Sequence, residues 1–153
     1  MKVLIVVPRY VSQPGEFYQF PLGLAYIAAA VEDAGHEVVG LNLNHAAGDV
    51  ADLVAAAIAE HDPAICATGG LSPFLPCIKQ IFSAARAAKP DIVNIAGGGV
   101  VSSDAAVAPE IMDIDIGVVG EGEGTIAEIL SVLAAGQSID EISGIVYLSL
   151  IHI

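Results

Sequence analysis

Residues 92–103, I-V-N-I-A-G-G-G-V-V-S-S, join a short β-branched run to three successive glycines. The run from Ile92 reads as a buried strand. Gly97, Gly98 and Gly99 end it, and Val100, Val101, Ser102 and Ser103 follow. Glycine loses more backbone freedom on folding than alanine does, so such a run is tolerated where φ must be positive or where another body approaches the backbone. At the carboxyl end of a parallel strand, that body is often a ligand. The same grammar returns in I-G-V-V-G-E-G-E-G-T, Ile116 to Thr125.

Strand and helix signals alternate on either side of these loops. Lys2 to Val7 is expected as a buried strand, followed by a polar loop from Pro8 to Phe20 that carries Arg9, Tyr10 and Tyr18. Pro21 suits the first turn of a helix, and Gly35 suits its C′ position. Glu37 to Asn42 reads as a second strand, and Asp49 as the cap of a helix reaching about His61. The third strand, Ala64 to Thr68, ends in Gly69, Gly70, Leu71 and Ser72, and Pro73 opens a helix to Ala88. Beyond the Gly97 strand, Ser103 or Asp104 is expected to cap a short helix before Pro109. A fifth strand, Ile116 to Val119, leads through Gly120, Glu121 and Gly122 into a helix ending near Gly136. Ile139, Ile142, Ile145 and Val146 suggest a closing strand. Five alternations with short joins predict an α/β, Rossmann-like (flavodoxin-like) three-layer fold with a five-stranded parallel sheet. Residues 1–147 are expected as one domain, and 148–153 as a doubtful tail, truncated or non-native.

Composition narrows the function. Hydrophobic residues make up 55% of the 153 and charged ones 15%, which argues against disorder. A net charge of −13 with five Lys and Arg leaves little to neutralise nucleic-acid phosphates. Pro8-Arg9 ends the first apolar run too early for an export signal, and Phe20 to Val31 is short for a bilayer span. Cys66 and Cys77 form neither a disulfide framework nor a metal knuckle, and the default compartment is a reducing cytoplasm.

Four loops should collect at the carboxyl edge of the sheet: 8–21, 68–73, 97–103 and 120–125. A dinucleotide fingerprint is absent after the first strand, where Pro8-Arg9-Tyr10 stands, and Glu121 and Glu123 would repel a pyrophosphate. There is no G-x-x-x-x-G-K-[ST], no Ser/Thr-rich flavin phosphate loop, no receiver-type Asp after the third strand and no G-x-S-x-G. What remains is a glycine-lined edge suited to a large, mostly neutral ligand held by backbone groups and apolar contact. No catalytic or metal-ligating side chain is assigned.

P-L-G-L-A-Y-I-A-A-A-V-E-D-A-G-H-E-V, D-P-A-I-C-A-T-G-G, N-I-A-G-G-G-V-V-S, D-I-D-I-G-V-V-G-E-G-E-G-T and I-S-G-I-V-Y occur in this order. Together they resemble the N-terminal cobalamin-binding domain of cobalamin-dependent radical S-adenosylmethionine enzymes. The resemblance runs from Met1 to about Tyr147 and implies a methyltransferase module. It implies that the dimethylbenzimidazole tail passes beside Thr68, Gly69, Gly70, Leu71 and Ser72 and beside Gly97, Gly98, Gly99, Val100 and Val101. The corrin would lie over these loops and over the Gly120 to Thr125 turn, with Gly120, Glu121, Gly122, Arg9 and Tyr10 among the cofactor-binding residues. The C-x-x-x-C-x-x-C motif of the radical core is absent, so no iron–sulfur cluster and no autonomous catalysis are expected of this chain, and the core domain is a possible missing partner. The D-x-H-x-x-G of histidine-ligating cobalamin modules is absent too: His45 to Gly48 has Leu43 in place of Asp and follows the second strand. Base-off cobalamin without a histidine ligand is expected, as the resemblance to the radical enzymes implies.

Plainer readings stand beside these. The glycines could serve only turns, Thr68 and Ser72 could cap the helix at Pro73, and Glu121 and Glu123 could answer a helix dipole. Tyr10, Tyr18 and Phe20 could pack over the sheet edge, and Arg9 could pair with a local acid. His36, His45 and His61 read as solvated or as helix C-terminal caps. The alternatives for the whole chain are the N-terminal half of a two-domain glycosyltransferase and a non-catalytic interaction domain.

Overall fold

The computed structural model describes residues 1–148, so the 149–153 part of the expected tail, including His152, lies outside the described residues. The chain order is β1 (Lys2–Val7), α1 (Leu22–Asp33), β2 (Glu37–Asn42), α2 (Val50–His61), β3 (Ile65–Gly69), α3 (Leu75–Ala88), β4 (Val93–Gly97), α4 (Gly99–Ser102), α5 (Ala108–Met112), β5 (Ile116–Val118), α6 (Gly122–Ala134) and β6 (Ile145–Val146). A 3₁₀ turn, Ser72–Phe74, leads into α3.

The sheet order is β2-β1-β3-β4-β5-β6. β1 to β5 are parallel, and the chain reverses its direction of travel across the sheet between β1 and β3. That is the flavodoxin-like order, with its switch point beside β1. The expectation of five parallel strands is corrected, because the sheet has six and β6 pairs with β5 antiparallel. The cause is the segment 135–144, which climbs back to the carboxyl edge before pairing begins. There Val119 N–H donates to the Gly144 carbonyl at 2.8 Å, and β6 then descends with Ile145 opposite Val118.

Strand alternation sends side chains into two cores. Val3, Ile5, Ile65, Ala67, Ile95, Ile116 and Val118 face the layer of α1 and α6, where Ile126, Ile129 and Leu130 cover them. Leu4, Val6, Cys66 and Ala96 face the layer of α2, α3 and α5, packed by Val54, Ile58, Ile78, Phe82 and Met112. Each of these larger side chains contributes about 1.5–3 kcal/mol by leaving water. The inner strands lie between two helical layers, which is why they are largely apolar; the buried exceptions, Thr68 and Asn94, are hydrogen-bonded to backbone carbonyls.

Local signals place the helices. Asp49 accepts from Ala51 N–H at 2.8 Å and caps α2. Gly35, at φ +83, ends α1 as expected: His36 N–H reaches Val31 O at 3.1 Å and Gly35 N–H reaches Glu32 O at 2.9 Å. The short helix before Pro109 is corrected. Helical structure resumes at once after Gly98 as α4, and α5 begins at Ala108 with Pro109 in its first turn. A proline lacks the N–H that a first turn leaves unpaired, so it opens that helix instead of closing one.

Candidate functional site

A cleft of about 300 Å³ opens at the carboxyl edge of the sheet between α1 and α6. Its floor is Ile5, Ala67, Ile95 and Val118, all buried on one face of the sheet. Pro21, Gly23, Leu24 and Ile27 form one wall, and Gly122 and Ile126 form the other. Thr68 to Leu71, Gly97 to Gly99 and Gly120 to Glu123 make the rim. No lysine or arginine is among the lining residues.

Backbone hydrogen bonds tie the rim loops together. Gly70 N–H donates to Gly97 O at 3.3 Å, and Val100 N–H donates to Gly70 O at 2.8 Å. Gly120 N–H donates to Ser102 Oγ at 3.2 Å, which joins the loop after β5 to the loop after β4.

The glycines of the rim have different reasons to be glycine. A Cβ on Gly69 would stand 2.6 Å from the Gly97 carbonyl oxygen, and Gly98 holds φ +81 with Gly70 backbone 3.1 Å away, so the fold itself demands both. A Cβ on Gly122 would meet Ile27 Cδ1 at 2.8 Å, so a side chain there would displace the end of Ile27 on the facing helix α1. Gly70 and Gly97 differ: their added Cβ atoms would find nothing nearer than 3.8 and 3.9 Å, and neither has a positive φ. Gly23 stands likewise in open space on the cleft wall. The fold does not explain these three. Gly23 and Gly97 keep side-chain volume out of the cleft, whereas a Cβ on Gly70 would face Ile78, Phe74 and Tyr10 on the α3 side of the sheet.

The cleft thus gathers Thr68, Gly69, Gly70, Leu71, Gly97, Gly98, Gly99, Gly120, Glu121 and Gly122 from the residues singled out in the sequence. Thr68 caps no helix; its hydroxyl donates to Val6 O at 2.7 Å inside the sheet. Ser72 opens the 3₁₀ turn, and Val100 and Val101 are buried in the core of the α2–α3 face. Glu121 is the N-cap residue of α6 without a side-chain capping bond, and Glu123 lies in its first turn.

Arg9 and Tyr10 stand outside the lining. The Arg9 guanidinium donates to three carbonyls, Leu43 O at 3.2 Å, Gly48 O at 2.9 Å and Ala46 O at 3.2 Å, and pairs with no local acid. It fastens the loop after β2 to the end of β1. Tyr10 packs edge-on against Phe74, ring centroids 4.4 Å apart, and stacks on Tyr18. Burial, with smaller contributions from Cys77 and Tyr18, pushes its phenol up to about 12. Tyr18 and Tyr10 thus pack over the edge as expected, but Phe20 is exposed.

His45 is the one described histidine in a carboxyl-edge loop; its Nε2 lies 3.1 Å from the Tyr18 hydroxyl, which also accepts from Asn42 Nδ2 at 2.6 Å. His36 bonds the chain's amino group at 2.9 Å, and His61 ends α2, both at the opposite edge. Among the described residues no three His, Cys, Asp or Glu side chains converge as metal ligands. Cys66 is buried with its thiol pushed up to about 12 by burial. Burial also raises Cys77, against the lowering effect of Arg9.

Pro21 and Glu123 fall in the expected edge loops, but sequence reasoning missed Ile5, Gly23, Leu24, Ile27, Ala67, Ile95, Ala96, Val118 and Ile126 as lining residues. Most look like core by pattern, and they are core for most of their surface. The available signal was Gly23, an unneeded glycine in the first turn of an apolar helix.

A family model, the B12 binding domain, matches residues 12–130. No curated protein matches the chain. Among solved structures, the radical S-adenosylmethionine methyltransferase TsrM from Kitasatospora setae, with tryptophan substrate and the SAM analogue aza-SAM bound, matches with TM-score 0.82 and 24% identity over 95% of this chain and 28% of that one. The same enzyme with cobalamin and a 4Fe–4S cluster bound matches with TM-score 0.81 and 25% identity over 95% and 27%. The cobalamin-dependent S-adenosylmethionine radical enzyme OxsB, with aqua-cobalamin and S-adenosylmethionine bound, matches with TM-score 0.73 and 14% identity over 97% and 21%. The chain therefore spans between 21% and 28% of the length of these structures.

Proposed function

The chain belongs to the B12 binding domain family, and on that premise we propose that the glycine-lined cleft seats the tail of cobalamin, base-off and without a histidine lower ligand. The observation that carries this is the pair of glycines, Gly23 and Gly97, that no backbone conformation or packing contact requires and that leave open space in one cleft. A volume of about 300 Å³ is at the small end for ligand clefts, which suits one part of a large cofactor and leaves the macrocycle over the rim. The floor of Ile5, Ala67, Ile95 and Val118 suits a flat aromatic tail. Without a basic side chain in the lining, the phosphate of the tail would rest on backbone N–H groups, and the N-terminus of α6 offers unpaired ones.

Thr68 to Leu71 and Gly97 to Gly99 would flank the tail, with Ser72, Val100 and Val101 shaping those loops from behind, and the Gly120 to Gly122 turn would support the corrin. Arg9 and Tyr10 would act indirectly, by fixing the loops at the end of β1. His45 has its Nε2 engaged with Tyr18, which favours binding without a histidine on cobalt. Bound cobalamin supplies the alkyl-carrying cobalt chemistry, and the protein supplies binding, orientation and a water-poor face.

The fuller reading is a module of a radical S-adenosylmethionine methyltransferase-like enzyme that works with a separate core domain. The sequence in hand has no C-x-x-x-C-x-x-C, so cleavage of S-adenosylmethionine would belong to that companion. Family membership displaces the glycosyltransferase reading.

The test is a visible spectrum of protein incubated with hydroxocobalamin and desalted. Retained corrinoid with a base-off spectrum is the expected result, unchanged in His45→Ala. A colourless protein with intact circular dichroism would remove the site, and a histidine-on spectrum lost in His45→Ala would overturn the base-off assignment.

A further inference from the structure

From Leu22 to Val31 α1 carries no charged side chain, and only part of it is covered. Its sequence, L-G-L-A-Y-I-A-A-A-V-E-D, has Val31 as its one fully buried residue. Leu22, Ala25, Tyr26 and Ala29 follow the i, i+3, i+4, i+7 spacing of one helix face, and all four are exposed. Leu22 is 61% and Tyr26 60% exposed. A surface helix of a lone domain would carry polar residues on such a face. Contiguous apolar surface of this kind marks an interaction site.

Charge around the stripe selects the partner. Glu32 and Asp33 end α1, and Glu121, Glu123 and Glu128 lie on the adjacent α6. None of these carboxylates is ion-paired among the described residues. All five basic residues lie elsewhere: Lys2 at the start of β1, Arg9 tied to the loop after β2, and Lys79, Arg86 and Lys89 on or just after α3. His36 and the chain's amino group sit beyond the far end of α1. A second copy would set the same acids against these, and an anionic lipid surface would be repelled.

We propose that the outer face of α1 docks a second protein domain whose contact surface is apolar at its centre and framed by lysine and arginine. The surface does not depend on cobalamin in the cleft, so it stands or falls apart from the cofactor assignment.

The test uses two synthetic amphipathic helical peptides with one leucine pattern, the polar positions all lysine in one and all glutamate in the other. Titrations are followed by fluorescence anisotropy and by ¹H–¹⁵N spectra of the protein, with and without hydroxocobalamin. The lysine peptide should bind at least tenfold tighter than the glutamate peptide, shift resonances within residues 22–33, and weaken at least tenfold in Leu22→Ser/Tyr26→Ser. Both positions are exposed, so that variant should keep the wild-type circular dichroism and melting temperature. Four results overturn the proposal: equal binding of both peptides, shifts spread over the whole acidic surface, concentration-dependent self-association through α1, or partition of α1 onto phosphatidylcholine vesicles in preference to the peptide. The first two signify non-specific attraction, the third a second copy, and the fourth a lipid surface.

Discussion

Gly69 and Gly97 pair in register on neighbouring strands, yet they are glycine for opposite reasons. Gly69 has a carbonyl oxygen 2.6 Å from where its Cβ would be, whereas Gly97 has only Val118 atoms at 3.9 Å and beyond. By strand alternation Gly97 shares the face of Ile95, so a methyl there stands in the cleft. Gly97→Ala is therefore expected to leave stability unchanged or to raise it by up to about 1 kcal/mol, since alanine loses less backbone entropy. The same variant should lower cobalamin retention at least tenfold. Gly69→Ala should cost about 1–3 kcal/mol of stability with or without cofactor, because the strand must shift. Urea denaturation of the apo-proteins alongside a retention assay separates the two. Equal behaviour in both assays would mean that Gly97 is a structural glycine and that the cleft is not the site.

The last strand is an element defined more by its seat than by its own sequence. β6 is two residues long, and Val146 Cγ2 lies 2.7 Å from the point where a Cβ on Gly117 would be, with Val101 Cγ1 at 3.0 Å. Gly117→Ala should cost about 1–3 kcal/mol by overpacking. Adding Val146→Ala should return at least about 0.5 kcal/mol of it, a coupling that urea midpoints of the four-member cycle would reveal. Strict additivity would show that β6 does not press on Gly117. This dependence also explains what the sequence made legible and what it did not. β1 and β2 carry their own evidence, apolar runs bounded by Pro8 and by Asn44, and the structure begins and ends them where the residues said. The direction of β6 is set by the path of 135–144, and no local pattern in I-S-G-I-V-Y encodes it. Pro109 misled because proline marks the first turn of a helix as well as its end. At the site, the rim glycines could be read from the sequence because they are unusual. The floor could not, because a residue such as Ile95 is the same apolar β-branched side chain whether it faces a helix or a ligand.

For the whole molecule, the distribution of charge and the shape of the cleft lead to one thermodynamic expectation. The net charge is −13, yet the cleft holds no basic side chain and its floor is aliphatic. Cobalamin held there is retained by apolar burial and by backbone N–H groups, neither of which is strongly screened by salt. A ligand that binds only the folded state stabilises it by RT ln(1 + [L]/Kd), about 2.7 kcal/mol at a hundredfold excess over Kd. In a domain of this size each kcal/mol moves the melting temperature by about 2–4 °C, so saturating hydroxocobalamin should raise it by about 5–10 °C. Repeating the scan in 0.5 M NaCl should preserve that increment to within about 1–2 °C, even as the apo-protein itself shifts when its crowded carboxylates are screened. An increment that vanished with salt would place the cofactor on a charged surface, for which Arg9 at the edge of the sheet is the candidate. An increment that survived in wild type but fell to near zero in Gly97→Ala would locate the binding energy in the cleft between α1 and α6, because that variant alters neither the charge of the molecule nor the packing of its two cores.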